Sequence, residues 1–140
     1  MKILVPVDDS ETSLHAIDWL GRLPDSASID VNLLNVRPPA ENYGAMSVLD
    51  FEAVERSLRE GQQVVLARAL QRAQRLGLKR VTIHAAHGLA SEAIVDAAKA
   101  TGADQIVMAT HGRGAVGTLF MGSVAQQVAH LAPMAVTLVK

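Results

Sequence analysis

Cysteine is absent from the 140 residues, which removes disulfides, thiolate metal sites, iron–sulfur clusters and cysteine nucleophiles together and accords with a reducing compartment. Aromatic residues are scarce: one Trp, one Tyr and two Phe make up 3% of the chain, leaving few platforms on which single-stranded nucleic acid could stack. An excess of one charge is lacking too. Thirteen Lys+Arg stand against 14 Asp+Glu for a formal net charge of −1, and without a basic footprint neither nucleic acid nor an anionic membrane surface has an electrostatic anchor. No apolar run approaches the ~18–20 residues of a membrane span. The opening run to Val7 is cut off by Asp8-Asp9, too early for the apolar region of a signal peptide. These absences lead to an expectation of a cytoplasmic protein with no nucleic-acid and no membrane partner.

What is present is enough apolar material for a core. Hydrophobic residues make up 49% and charged residues 19%, too apolar and too weakly charged for a disordered chain, and the length suits one domain over residues 1–140. Ile3 to Val7 is a continuous apolar run, as expected of a central strand covered on both faces. Asp9 or Ser10 then caps a helix over about Glu11 to Leu23, with Leu14, Ile17 and Leu20 at helical spacing. A second strand is expected over Ile29 to Val36, ended by Pro38-Pro39, and a loop over Ala40 to Ser47.

From Phe51 to Leu76 an apolar stripe (Phe51, Val54, Leu58, Val65, Ala69, Ala73, Leu76) advances by threes and fours, with Gly61 in the vacant slot. That period predicts one long helix, with Glu52/Arg56 and Glu55/Arg59 as opposite charges at i,i+4 on its wet face. Gly77 fits a left-handed cap, Val81 to Ala86 a third strand, Ser91 to Ala100 a helix closed by Gly102, and Gln105 to Ala109 a fourth strand. Phe120, Val124, Val128 and Leu131 mark a last helix before a fifth strand over Met134 to Val139. Strands alternating with helices predict an α/β fold: a doubly wound parallel sheet with helices on both faces. Ligands in such sheets bind outside the carboxyl ends of the strands, where strand order reverses.

The residues there carry what chemistry the sequence offers. Between the fourth strand and the last helix lies Ala109-Thr110-His111-Gly112-Arg113-Gly114-Ala115-Val116-Gly117, ending at Gly122-Ser123. Glycines between a strand and a helix let backbone N–H groups approach an anion, and the helix N-terminus adds a favourable dipole. On spacing alone a phosphate cradle and a loop that merely needs room to turn stand level. Gly112-x-Gly114-x-x-Gly117 matches a dinucleotide fingerprint, but the following strand lacks the acidic residue that would hold the ribose. Gly112 and Gly117-Thr118 have the glycine separation of a P-loop without its lysine. Neither an NAD site nor vigorous triphosphatase activity is expected; catalysis, if any, is slow hydrolysis.

Asp8-Asp9 has three readings: a helix cap, a ribose or Mg²⁺ ligand, or the acidic pocket of a phosphoacceptor receiver. The last needs a further aspartate after the third strand, which Val81 to Gly88 does not supply; Asp50 could serve only if Met46 to Leu49 were a strand. The five histidines form no ligand set, since His84 and His87, three apart on or beside a strand, face opposite ways. His111 differs in lying in the glycine loop.

Ile3-Leu4-Val5-Pro6-Val7-Asp8-Asp9-Ser10, Leu33-Leu34-Asn35-Val36, Gly88 followed by Ile94, and Gly112 followed after nine residues by Gly122-Ser123 together resemble the universal stress protein family, over essentially the whole chain. The most specific part is the carboxyl-terminal loop, where the nucleotide-binding branch carries Gly-x-x-Gly, nine residues, then Gly-Ser or Gly-Thr. The resemblance implies five parallel strands in the order 3-2-1-4-5 and binding of ATP or a related adenine nucleotide (ADP or AMP), with Mg²⁺ arriving on the nucleotide. It implies that Pro6, Val7 and Asp8 line the adenosine pocket with Asp8 near the ribose, and that Val36 contacts adenine through its backbone. Met108 and Ala109 would floor the site, and Gly112, Arg113, Gly122, Ser123 and Val124 would hold the phosphates. It further implies a homodimer through Met134 to Val139, consistent with the exposed apolar edge that this last strand would otherwise present.

Two residues depart from the family pattern. Ala109 occupies the first glycine position of the loop motif, and Asp9 stands where a glycine or aromatic residue is usual; both point to weaker affinity or a preference for AMP or ADP. The expected role is a dimeric stress-response sensor or regulator. Alternatives are a protein-interaction module of the same fold that binds no nucleotide, and a slow ATPase.

Overall fold

Ile3, Val5 and Val7 join one hydrophobic cluster and Leu4 another, and all four are buried. A strand with both faces apolar can be satisfied only by cover on both sides. The computed structural model describes residues 1–39, 47–111 and 121–140 and supplies that cover. Strand β1 (Lys2–Pro6) leads to helix α1 (Glu11–Gly21), a 3₁₀ turn (Ser26–Ser28), β2 (Asp30–Arg37), α2 (Val48–Arg75) and β3 (Arg80–His87). Then come α3 (Ala90–Thr101), β4 (Gln105–Ala109), α4 (Ser123–Leu131) and β5 (Ala135–Val139). All strands are parallel, in the order β3-β2-β1-β4-β5, as the resemblance implied.

The period-2 alternation sorts each strand between two layers. Val31 and Leu33 of β2 and Val107 of β4 face α1 and α2, together with Leu14, Ile17, Leu20, Leu66 and Ala69. Leu34, Ile106 and Met108 face α3 and α4, with Ile94, Val95, Ala125 and Val128. Two polar clamps tie α2 to α1. Arg72 Nε and a second guanidinium nitrogen donate to Asp18 at 2.6 and 2.7 Å, and Arg68 pairs with Glu11. The hydrogen bond from Arg72, with its positive charge, outweighs desolvation and holds the Asp18 carboxyl below its ordinary range.

Ser10 is the N-cap of α1, its hydroxyl accepting from Ser13 N. Gly77 and Gly102 follow their helices with φ of +81° and +65°, the left-handed conformation that costs glycine least. Most element boundaries shift from expectation by one or two residues, and two helix starts differ by more. Helix α2 begins at Val48, since Ser47 caps it by accepting from Asp50 N; residues 40–46 of the expected loop lie outside the described residues. With Val48 and Leu49 helical and Asp50 in the first turn of α2, the strand a receiver reading required is missing. Helix α4 begins at Ser123, and the expected marker Phe120 lies outside the described residues. Among the described residues no helix is long and apolar enough to cross a membrane.

Candidate functional site

The ladder between β1 and β2 runs as far as Pro6↔Leu34 and is extended by Val7 N donating to Leu34 O at 2.8 Å. Between β1 and β4 it stops at Leu4↔Ile106. Beyond that rung the central strands part, at the place where strand order reverses, and a crevice opens at their carboxyl ends. The cleft there has a volume of about 690 Å³, within the range of about 300–1,000 Å³ usual for small-ligand sites.

Nine of the residues singled out from the sequence line this one cleft: Pro6, Val7 and Asp8 after β1, Val36 in β2, Met108 and Ala109 in β4, and Gly122, Ser123 and Val124 at the start of α4. Gly112 and Arg113 lie outside the described residues. The Asp8 carboxylate accepts from the backbone N–H of Ser10 at 2.9 Å and from the Ser10 hydroxyl, so it braces the cap of α1 while facing the cleft. Ser13 Oγ closes the turn by donating to Ser10 O at 2.9 Å.

Across the opening, Gly122 N donates to Thr110 O at 2.8 Å and Thr110 N to Val139 O at 2.9 Å, pinning the start of α4 to the ends of β4 and β5. Gly122 is the N-cap of α4, and among the described residues no side chain caps the helix. The first-turn amides therefore have no intrahelical acceptor and present partial positive charge to the cleft. Ala109 is paired with Val139 in the sheet and is not among the positive-φ residues. Its methyl group therefore imposes no backbone strain.

Residues not assigned a place in the pocket from the sequence complete the walls. Helix α2 contributes Leu58, Gly61, Gln62 and Val65, and Asn35, Ile94, Thr110 and His111 join them. Asn35 and Gln62 are buried: Asn35 Nδ2 donates to Val7 O at 2.7 Å, and Gln62 Nε2 donates to Asn35 O and Ala86 O, both at 2.8 Å. These amides bind the tips of β1, β2 and β3 to α2. Arg37, at the cleft's rim, is held by both oxygens of Glu55 at 3.0 and 2.9 Å. His111 has Nδ1 2.8 Å from Thr110 Oγ1, while its buried Nε2 has no partner among the described residues. Among the described residues no group of three or more His, Cys, Asp or Glu could hold a metal ion.

Comparison with known proteins matches the model of the universal stress protein family to residues 1–140. The chain belongs to that family. A universal stress protein of Thermus aquaticus is 42% identical over 83 residues, 54% of this chain and 61% of that relative, so the matched stretch spans under two thirds of the Thermus protein. The universal stress protein MJ0531 of Methanocaldococcus jannaschii is 28% identical over 99% of this chain and 81% of its own. Among solved structures, MJ0577 superposes with a TM-score of 0.85 at 28% identity, covering 99% of this chain and 94% of that one. The universal stress protein fold is shared with two structures that hold nucleotides. One, in complex with cAMP, has a TM-score of 0.72 at 21% identity, covering 99% of this chain and 95% of its own. The other, At3g01520 of Arabidopsis thaliana with AMP bound, has a TM-score of 0.70 at 17% identity, covering 100% and 91%.

Proposed function

We propose that this universal stress protein binds an adenine nucleotide, ATP or its relatives ADP and AMP, in the cleft between β1 and β4, and acts as a dimeric stress-response sensor in the cytoplasm. The observation that carries the reading is the convergence of nine residues from four separate segments on one cleft, with the N-terminus of α4 among them. An anion is what such a helix end accommodates. Gly122, Ser123 and Val124, with Gly112 and Arg113, would hold the phosphates. Asp8 would meet the ribose, the Val36 backbone the adenine, and Met108 and Ala109 would form the floor. That family members of the same fold hold cAMP and AMP supports an adenylate as the ligand. Mg²⁺ would arrive on the polyphosphate, whose charge it would partly neutralise. The chain's own part is binding and orientation, with at most slow hydrolysis.

Calorimetric titration with Mg²⁺-ATP, ADP and AMP tests the reading, alongside Gly122→Leu, which fills the approach to the helix end. Binding to the wild type and its loss in a folded Gly122→Leu protein is the expected result. Unchanged affinity in that variant removes the site assignment, and a wild type silent to all three leaves the interaction-module alternative. Dimerisation would use β5, which pairs with β4 along one edge only. Light scattering at graded concentration reads it, and Val136→Pro, at a residue whose N–H faces away from β4 because Val139 and Thr137 face it, should yield monomers.

A further inference from the structure

Gln62 is 7% exposed, and its amide orientation is not arbitrary. Two carbonyls, Asn35 O and Ala86 O, each accept from Nε2 at 2.8 Å, so both N–H groups are used and the nitrogen cannot exchange places with the oxygen. Oε1 is then fixed on the other side of the amide. It accepts from no described residue, it is not among the atoms sealed from solvent, and its residue lines the cleft. The same helix face presents Leu58 and Val65 to the cleft, with Val36 and Ile94 from other elements, apolar lining of the kind that binds a ring. A locked acceptor with no partner among the described residues, at an apolar wall, is a device for choosing ligands by their donors, since burying it against another acceptor leaves both unsatisfied.

We infer that Gln62 is a specificity-determining residue: its Oε1 accepts a hydrogen bond from the exocyclic amino group of the bound base, and so selects a 6-aminopurine over a 6-oxopurine. This rests on the nucleotide-binding reading above. Adenine turns an N–H toward Oε1, whereas hypoxanthine and guanine turn a carbonyl oxygen, and two sets of lone pairs meet. Nothing in the choice involves charge, so the preference is insensitive to salt.

The test is a pair of calorimetric titrations with ATP and ITP, which exchange the 6-amino group for a carbonyl and with it turn N1 from acceptor to N–H donor, so that the change in the ratio between wild type and a Gln62 variant is what reports on Oε1. Wild-type protein is expected to bind ATP about tenfold more tightly, the worth of one hydrogen bond made rather than left unmade. In Gln62→Met the ratio should fall to within about twofold, whatever happens to absolute affinity. Gln62→Lys keeps a donor for the two carbonyls while offering no acceptor, and should likewise lose the preference or invert it; it serves if the Met variant does not fold by circular dichroism. A purely structural Gln62 would weaken both ligands together and leave the ratio intact. ATP binding with parity in the wild type, or an unchanged ratio in a folded variant, overturns the inference and leaves the nucleotide site standing. Binding of neither ligand to the wild type overturns both.

Discussion

From Gln62 to Ala73 helix α2 sinks a side chain into the core at nearly every turn, at Gln62, Leu66, Ala69 and Ala73, whereas from Val48 to Gly61 it fully buries none. Val48 and Leu49 are 75% and 78% exposed and Phe51 38%, although the apolar period runs through both halves. Length accounts for the difference. At 28 residues α2 is about 42 Å long, and the eight residues of β2 span about 26 Å, so the helix outruns the sheet. The half over the sheet is scaffold. The half beyond it overhangs the strands' carboxyl ends, placing Leu58 and Gly61 beside the cleft. Amphipathicity in a sequence marks the face that will be buried; how much of it is buried depends on the length of the partner element.

The largest test of this contrast is a pair of truncations. Leu66→Ala removes a side chain 4% exposed in the main cluster and should cost about 2–5 kcal/mol in urea unfolding, while Phe51→Ala should cost under about 1 kcal/mol, most of its transfer energy never having been collected. Equal losses would erase the distinction. Ser47→Ala removes the cap of the overhanging half. A cost of about 1 kcal/mol is expected, read by hydrogen exchange as faster opening of the first turns with the amides around Leu66 unaffected.

Gly61→Ala acts in the opposite direction. An added Cβ meets nothing within 4 Å, so exchanging glycine for alanine inside the helix should raise stability by about 0.5–1 kcal/mol. The smallest effect belongs to the clamp under the scaffold half. Because Arg72 depresses the Asp18 pKa in the folded state, its stabilising contribution is present above the unfolded carboxyl value of about 3.9 and is lost as pH falls through the lower folded one. Asp18→Asn should therefore unfold at lower urea than wild type at neutral pH, and the gap should close on acidification.

Strand and helix order were legible because hydrophobic period alone carries them, and the Gly77 and Gly102 caps because glycine has a known use there. The start of α2 was not, although Ser47 with Asp50 three residues on is a capping pattern: the residues before it have no period to show that a helix is about to begin. Gln62 was hidden for another reason. A glutamine in a helix reads as surface, and what buries this one is two carbonyls 27 and 24 residues away in sequence, a juxtaposition that exists only after the sheet has formed. The cleft residues Val36, Met108 and Ala109 are ordinary strand residues whose side chains announce nothing. Family resemblance singled them out, and the fold places them together.

The short seam between β1 and β4 has a kinetic consequence. Its neighbouring contact, Lys2 with Asp104, joins residues 102 apart, while β1 reaches β2 across a single helix. Long-range closure of this kind costs chain entropy before any contact rewards it. The β1–β2–β3 unit is therefore expected to assemble before the two-rung junction to β4, and substitutions at Ile106 to give lower φ-values than those at Leu33. A site that straddles the last junction to form is absent from the transition state. A molecule held there would slow unfolding and leave the rate of folding unchanged.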